Sequence, residues 1–435
     1  MHQSWLEAAN NGNGTEKDIW AVDFTAHPLL DPDFPRKPSR LLQLSRLNFR
    51  RMIKDDKSYR FELARIFHPV GSPRGDRASL KELRHSAAEC LREADVYLSS
   101  TIDLLPPASR SVVLPQAEIT DCCDVRELMV LSFRGASELI RYEARRKLFL
   151  AQTLLHIDQS RLIQDGPRHK TLFEDLLNEG LWRNTKQIHD LSVGYHISPN
   201  KRDISYTSRP EETDTHLDFR STFLEVDYHG RTIGLDILYY NCRFKRAVTL
   251  ITNETVDGIQ RVTEKARWED MRAESSGSIL SKMIRKGITN PDEIGDLIGA
   301  MFIVHDNDAL NDLLILLDSC LGAPFRWRNV TDTLTTGKAS GSALNHFSSK
   351  EFKVLKGDVD ILVEEHGGGR PYLFPVEVQI FTLEGYLRTV CVAHEASHLA
   401  LKLRQFLFGL VPRIFPRGIY GEDWLGLDTE SGHGK

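Results

Sequence analysis

The residues best suited to chemistry cluster between Pro375 and His398, where the chain reads PVEVQIFTLEGYLRTVCVAHEASH. Val376, Val378 and Ile380 alternate, which predicts a strand whose other face carries Glu377 and Gln379. A carboxylate on such a strand is suited to holding a divalent cation against phosphates. The helix-like text beyond it contains His394-Glu395-Ala396-Ser397-His398, an HExxH pattern. Two histidines one turn apart in that pattern bind zinc, and the glutamate activates water. A third ligand would come from Glu422 or His433, yet the intervening FLFGLVPRIFPRGIYG carries two prolines and three glycines, a poor basis for a second rigid ligand-bearing helix. The bland alternative is a packing helix with surface histidines; in a chain of sixteen histidines such a match arises by chance at roughly a few per cent.

A second set of groups lies upstream. Lys265, Arg267, Arg272, Lys282, Arg285 and Lys286 precede an acid, Asp296, at the entrance to the apolar strand within PDEIGDLIGAMFIV. Cations followed by two strand-borne carboxylates, Asp296 and Glu377, suit phosphoryl or pyrophosphoryl transfer. The carboxylates would fix Mg²⁺, and the cations would hold the phosphates and absorb developing charge. Asp358-Val359-Asp360 places two carboxylates on one face of a strand, either as further metal ligands or as a solvated stripe shared with Glu364.

The elements that must position these groups are legible in outline. Phe219 to Tyr228 and Thr232 to Cys242 read as strands joined at His229-Gly230, and Val248 to Thr252 as another. Glu274 to Arg285 reads as a helix with Ser278 and Lys282 on one face. Leu310, Leu313, Leu314 and Leu317 mark a second helix, and Asp358 to Glu364 pairs with Tyr372 to Thr382 across Gly367-Gly368-Gly369. Strands and helices mixed in this way predict an α+β domain with a mixed sheet.

Before it, Ala78 to Leu105 and Ile119 to Ile157 read as helices, the second broken near Gly135. Leu148, Leu150, Leu154 and Leu155 supply an apolar stripe. From Arg36 to Arg65 there are ten Lys/Arg against three acids, with Phe49, Tyr59 and Phe61 between them. That pattern is either an RNA-contacting arm or the solvated face of an amphipathic helix. His189-Asp190 lacks the spaced partners of a metal-dependent phosphohydrolase and reads as structural.

Composition bounds the rest. The chain has 435 residues, 41% hydrophobic and 27% charged, with a net charge of −5. This is ordinary globular material, and the charge excludes wholesale electrostatic binding of nucleic acid. No apolar run approaches a membrane span, and the N-terminus has no basic and apolar leader. Six scattered cysteines without a CxxC pair suit reduced thiols, so a cytoplasmic location is expected.

Three ordered motifs carry a family resemblance. Arg272 followed by Ser278-Ile279-Leu280-Ser281-Lys282 is similar to the Arg…Ser-Ile-x-x-Lys helix of RelA/SpoT-type alarmone synthetases. Asp296-Leu297-Ile298-Gly299 resembles that family's Asp-Leu-x-Gly-x-Arg strand, and Glu377-Val378-Gln379 through Thr382 its Glu-x-Gln-x-Arg-Thr strand. A helix bearing a histidine, here His394, follows at similar distance. The resemblance covers about residues 250 to 410 and implies a nucleotidyltransferase-like fold. It also implies transfer of pyrophosphate from ATP to a 3′-hydroxyl of GDP, GTP or, in some relatives, tRNA. It implies Mg²⁺ on Asp296 and Glu377, with Glu377 also helping to deprotonate the acceptor. Arg272, Ser278 and Lys282 would contact ATP, with Lys265, Arg267 and Lys286 as further cations and Gln379 and His394 beside the nucleotide. The family's remaining basic positions are Glu274, Met301 and Phe381 here, and Phe352 is the nearest ring to its guanine-stacking segment. A catalytically degenerate protein that binds nucleotide or RNA is the alternative. The expected organisation is a tail (1–37), a helical domain (38–198), a RelA/SpoT-like domain (218–415) and a C-terminal tail (416–435).

Overall fold

The computed structural model describes residues 40–67, 78–197, 204–213, 215–244, 255–256, 259–260, 271–321, 327–334, 353–363, 371–390, 401 and 404–425. The expected strand at 248–252, the HExxH segment, Lys265, Arg267, Phe352, Glu364 and His433 lie outside these residues.

The first half is helical. α1 (Arg40–Met52) and α2 (Asp56–Phe67) form a hairpin that buries Met52, Tyr59 and Leu63 against Leu83 and Ala87 of α3 (Leu80–Asp103). Their basic side chains, Arg46, Arg50, Arg51, Lys54 and Lys57 among them, lie at the exposed surface, and Glu62 is shared by Arg51 and Arg65. α3 opens with a capping box in which the Ser79 amide donates to Glu82 and the Glu82 amide to Ser79. The helix expected over 119–157 is interrupted twice. Asp124 accepts from the amides of Arg126 and Glu127 to start α4 (Val125–Arg134), and Ser137 starts α5 (Glu138–Gln159) after Gly135.

α5 buries four charged residues within five positions, Glu143, Arg145, Arg146 and Lys147, beneath the C-terminal segment. Arg146 donates to the Ile414 carbonyl and the Tyr420 hydroxyl, which in turn donates to Glu143. Lys147 pairs with Asp95 at 2.7 Å. Glu143, Arg146 and Lys147 are paired or hydrogen-bonded, as burial demands, and Arg145 lies over the Tyr142 ring. Phe415, Trp424 and Leu425 join this helical core, so residues 416–425 pack rather than trail away. α7 (Met271–Lys286) enters the same core through Ile279, Leu280, Met283 and Ile284. The helical core thus draws on segments far apart in the chain.

The sheet begins before residue 198, inside the span expected to be helical, with β1 (Thr185–Ile197) carrying His189 and Asp190. β2 (Ile204–Thr207), β3 (His216–Tyr228), β4 (Arg231–Phe244), β5 (Ile298–Val304), β6 (Trp327–Asp332), β7 (Leu355–Val363) and β8 (Tyr372–Thr382) complete eight strands in the order β2-β1-β3-β4-β5-β8-β7-β6. The β3–β4 hairpin turns at His229 (φ 48°) and Gly230 (φ 81°), the two left-handed positions that a tight hairpin of matching twist requires. Among the described residues of this sheet, only β5 and β8 run parallel; the other pairings are antiparallel. The mixed α/β architecture with a mixed sheet is as expected.

α6 (Gly166–Gly180) and α8 (Asn307–Leu321) cover one sheet face, packing Phe173, Leu177, Leu313 and Leu317 on Val376, Val378, Ile380 and Phe302. The opposite face carries the alternate residues of β5 and β8, and α9 (Leu383–Val390) closes part of it through Leu383 and Leu387. α6 and α8 approach closely at Gly180, where a Cβ would overlap that of Cys320. Gly180→Ala is expected to cost about 1–3 kcal/mol through overpacking. A lowered denaturant midpoint at unchanged m checks this, and an unchanged midpoint would refute the contact.

Candidate functional site

Strand register assembles one row of side chains across the uncovered face. Gly299 of β5 pairs with Arg243 of β4 on one side and Glu377 of β8 on the other. Glu377 faces Asp358 of β7, which in turn faces Arg328 of β6. Directly opposed residues project to the same side of a sheet, so these groups share one face. The next row holds Asn241, Met301, Gln379 and Lys356, and a third holds Tyr239, Ile303 and Phe381.

Glu377 is the most enclosed acid of the site, 1% exposed. Lys356 donates to its Oε2 at 2.9 Å, and Gln379 donates to its Oε1 at 2.9 Å. Gln379 therefore positions the carboxylate. Asp296 lies two residues before β5, and the ammonium of Lys282 on α7 pairs with it. The Asp358 carboxylate reaches the same corner: its Oδ2 is 3.7 Å from where a Cβ on Gly295 would stand. Two adjoining elements thus bring Asp296, Asp358 and Glu377 to one end of β5.

Lys286, one helical turn beyond Lys282, completes a trio of lysines. Its pKa lies below the ordinary lysine value, first because its ammonium loses solvation and then because Arg285 and Lys356 are close; Glu377 and Asp358 offset part of this. These neighbours tie Lys286 electrostatically to both strands of the site.

Sequence reasoning paired Asp296 with Glu377, and both lie at this end of β5, joined there by Lys282, Lys286 and Gln379. Arg272 and Ser278 belong to α7, whose backbone carries them on the helix that delivers Lys282. His394 lies outside the described residues, as do Lys265 and Arg267. Lys356, Arg243, Arg328 and Asn329 were not singled out. Lys356 sits two residues from Asp358 on the same strand face, but only the pairing of β7 with β8 reveals its contact with Glu377.

The Asp358-x-Asp360 stripe is neither a solvated face nor an open ligand pair. Arg328 donates to Asp360 at 2.5 Å and Asn329 to Asp358 at 2.7 Å. Asn329 has φ 52°, at an irregularity in the β6–β7 pairing that lets consecutive side chains reach both acids. Met301 and Phe381, at positions where arginine was expected, belong to an apolar cluster with Ile303, Leu383 and Leu387. Phe381 is 4% exposed and meets Tyr386 edge-on at 6.2 Å.

The donor chemistry suits Mg²⁺, since all three acids offer oxygen. Among the described residues no three His, Cys, Asp or Glu side chains are gathered as a bound ion would gather them. Both Glu377 oxygens are hydrogen-bonded, and a lysine holds Asp296. The residues therefore fit an ion that takes one or two protein carboxylates and its other ligands from phosphate and water, not a closed protein cage.

No family model matches this sequence, and no curated protein matches it. Among solved structures, small alarmone synthetase 1 from Bacillus subtilis bound to its product pppGpp is 18% identical. That match covers 30% of this chain and 64% of that one, at a TM-score of 0.22. Small alarmone synthetase 2 from Bacillus subtilis is 16% identical over 39% of this chain and 72% of its own, TM-score 0.23. A GTP pyrophosphokinase family protein from Streptococcus pneumoniae is 18% identical over 35% and 55%, TM-score 0.22. The chain spans less than two-thirds of the length of the first and third of these. A likeness of this size is faint, and the reading of the site rests on its own geometry. Among the described residues no helix is long and apolar enough to cross a membrane.

The lysine trio makes a pH-dependent prediction. An anion such as pyrophosphate binds the protonated form of Lys286, whose lowered pKa removes that charge earlier in the alkaline range than a free lysine would. Pyrophosphate affinity should fall as pH rises from about 7 to 10, with proton uptake on binding in that range. Lys286→Arg should flatten the fall. Calorimetry in buffers of different ionisation enthalpy measures both, and a profile unaffected by Lys286→Arg would exclude the lysine.

Proposed function

We propose that this corner of the sheet is the phosphate-handling site of a RelA/SpoT-like pyrophosphate transferase, using ATP as donor and a nucleotide or RNA 3′-hydroxyl as acceptor. The observation that carries the reading is the convergence of Lys282, Lys286 and Lys356 upon Asp296 and Glu377 at one end of β5. Lysines paired with carboxylates are poised to exchange partners. Entering triphosphate oxygens would draw Lys282 and Lys356 from Asp296 and Glu377, so that cations hold the donor while carboxylate oxygens become available.

Asp296, with Glu377 beside it, would then hold Mg²⁺, which supplies charge neutralisation on the phosphates when bound. Glu377, released by Lys356 and still oriented by Gln379, would accept the proton of the acceptor hydroxyl. The hydroxyl oxygen bonds to the β-phosphorus of ATP as the bond to the α-phosphate bridging oxygen breaks, and AMP leaves. Lys282 and Lys286 offset the charge that develops on the phosphates. Arg272 and Ser278, on the helix that delivers Lys282, would contact the donor, with Lys265, Arg267 and His394 as further ligands from neighbouring segments. Such chemistry belongs in the cytoplasm, where the nucleotides are.

One observation favours a second reading, in which the protein binds nucleotide without transferring it. Met301 and Phe381 are committed to an apolar cluster, so two cations that would stabilise the transferring group are absent.

Incubation with γ-labelled ATP, Mg²⁺ and GDP, GTP or tRNA separates these readings. Transfer is expected to an acceptor in the wild type and to fall about 10²–10⁴-fold in Glu377→Gln, the usual contribution of a positioned general base. Transfer that persists in Glu377→Gln would contradict the role given to Glu377. Bound ATP without transfer to any acceptor would establish the second reading.

A further inference from the structure

We propose that Arg243, on β4 in the row that carries Glu377, grips the 5′-phosphates of a nucleoside di- or triphosphate acceptor. This rests on the reading of the site given above and extends it to the acceptor side.

Arg243 belongs to the row that carries Glu377, separated from it by Gly299 alone. Neighbouring strands stand about 4.8 Å apart, which puts the Arg243 and Glu377 backbones about 10 Å from each other. Because the residue between them is glycine, no side chain of β5 itself rises in that row. An acceptor whose 3′-hydroxyl lies at Glu377 would extend its ribose across Gly299, with its 5′ side toward β4.

The direction of the arginine is also informative. Going along β4, Asn241 and Tyr239 follow Arg243 on the same face, opposite Met301 and Ile303. Tyr386 of α9 has its phenol pKa raised by burial and by Tyr239, while the Arg243 guanidinium pulls it down. The guanidinium is therefore within electrostatic range of Tyr386, which packs on Phe381 and Phe219. Arg243 is rooted beside Gly299, one row from Asn241 and Met301 on the same face. Arg243 is exposed, whereas Met301 is partly buried in the apolar cluster.

The surroundings suit a nucleotide. Asn241 donates to the Tyr239 hydroxyl at 2.9 Å, so an amide and a phenol follow Arg243 on the same strand face. Arginine's planar fork matches phosphate oxygens, which makes it the appropriate residue for this task. Lys356 stands on the other side of Glu377, on β7, and Lys282 and Lys286 come from α7, so donor and acceptor phosphates would meet different cations.

The test is calorimetric binding of guanosine, GDP and a non-hydrolysable ATP analogue to the wild type, Arg243→Gln and Arg243→Lys, with thermal unfolding as the check on folding. Loss of a charge-assisted contact should weaken GDP at least about tenfold in Arg243→Gln, with partial recovery in Arg243→Lys. Guanosine and the ATP analogue should bind all three proteins alike. Equal GDP affinity in wild type and Arg243→Gln would overturn the proposal, as would a parallel loss of the ATP analogue. Wild-type protein that binds the ATP analogue but not GDP would overturn it while leaving the donor site intact. Binding of neither would defeat the reading of the site itself, and Arg243 with it.

Discussion

The parallel pairing of β5 with β8 is the constraint on which the site depends. It places Glu377 beside Gly299, three residues beyond Asp296, and thereby joins acids some eighty positions apart. A slip of one residue would turn Glu377 and Gln379 toward α6 and α8 and bring Val376 and Val378 to the open face. That slip is opposed by the burial of Val376, Val378 and Ile380, each removed from solvent against the helical layer. Burying such a side chain contributes about 1.5–3 kcal/mol. The apolar face thus fixes the register, and the register fixes the chemistry on the other face.

The electrostatics follow from that placement. Enclosing Glu377 would penalise its charge, and Lys356 and Gln379 satisfy both oxygens instead. Lys282 does the same for Asp296. Neutral pairing of this kind keeps the sheet face stable without ligand, yet each pair contains one partner for a phosphate and one for a cation or proton. Asp360 and Arg328 form a comparable pair at the edge, where Asp360 is nearly as enclosed as Glu377. The Arg328 pair serves the β6–β7 contact, which shows that an acid on this face is not by that fact a ligand.

Much of this was legible from local patterns. Alternation along 376–380 fixed which side Glu377 takes, and the His229-Gly230 turn marked its hairpin because its two left-handed positions have a residue signature. Asp296 at a strand entrance and Lys282 on a helix face were visible for the same reason. Pairings between distant strands leave no such trace: only the pairing of β7 and β4 with their neighbours brings Arg243 to the row of Glu377 and Lys356 to the next. Burial of Glu143, Arg145, Arg146 and Lys147 has no local signature, because aromatic rings and carbonyls from residues 414–420 enclose Arg146. Trp424 and Leu425, within the expected tail 416–435, are likewise anchored by shape, not by pattern.

If the lysines paired with Asp296 and Glu377 receive phosphate, as proposed, the affinity of a non-hydrolysable ATP analogue must differ between the wild type and Lys282→Met, measured with Mg²⁺ at fixed salt. Removing one charge-assisted contact of about 1.5–3 kcal/mol should weaken binding roughly ten- to a hundredfold. Equal affinity in the two proteins would contradict the account, and leave Lys282 as a partner of Asp296 and nothing more.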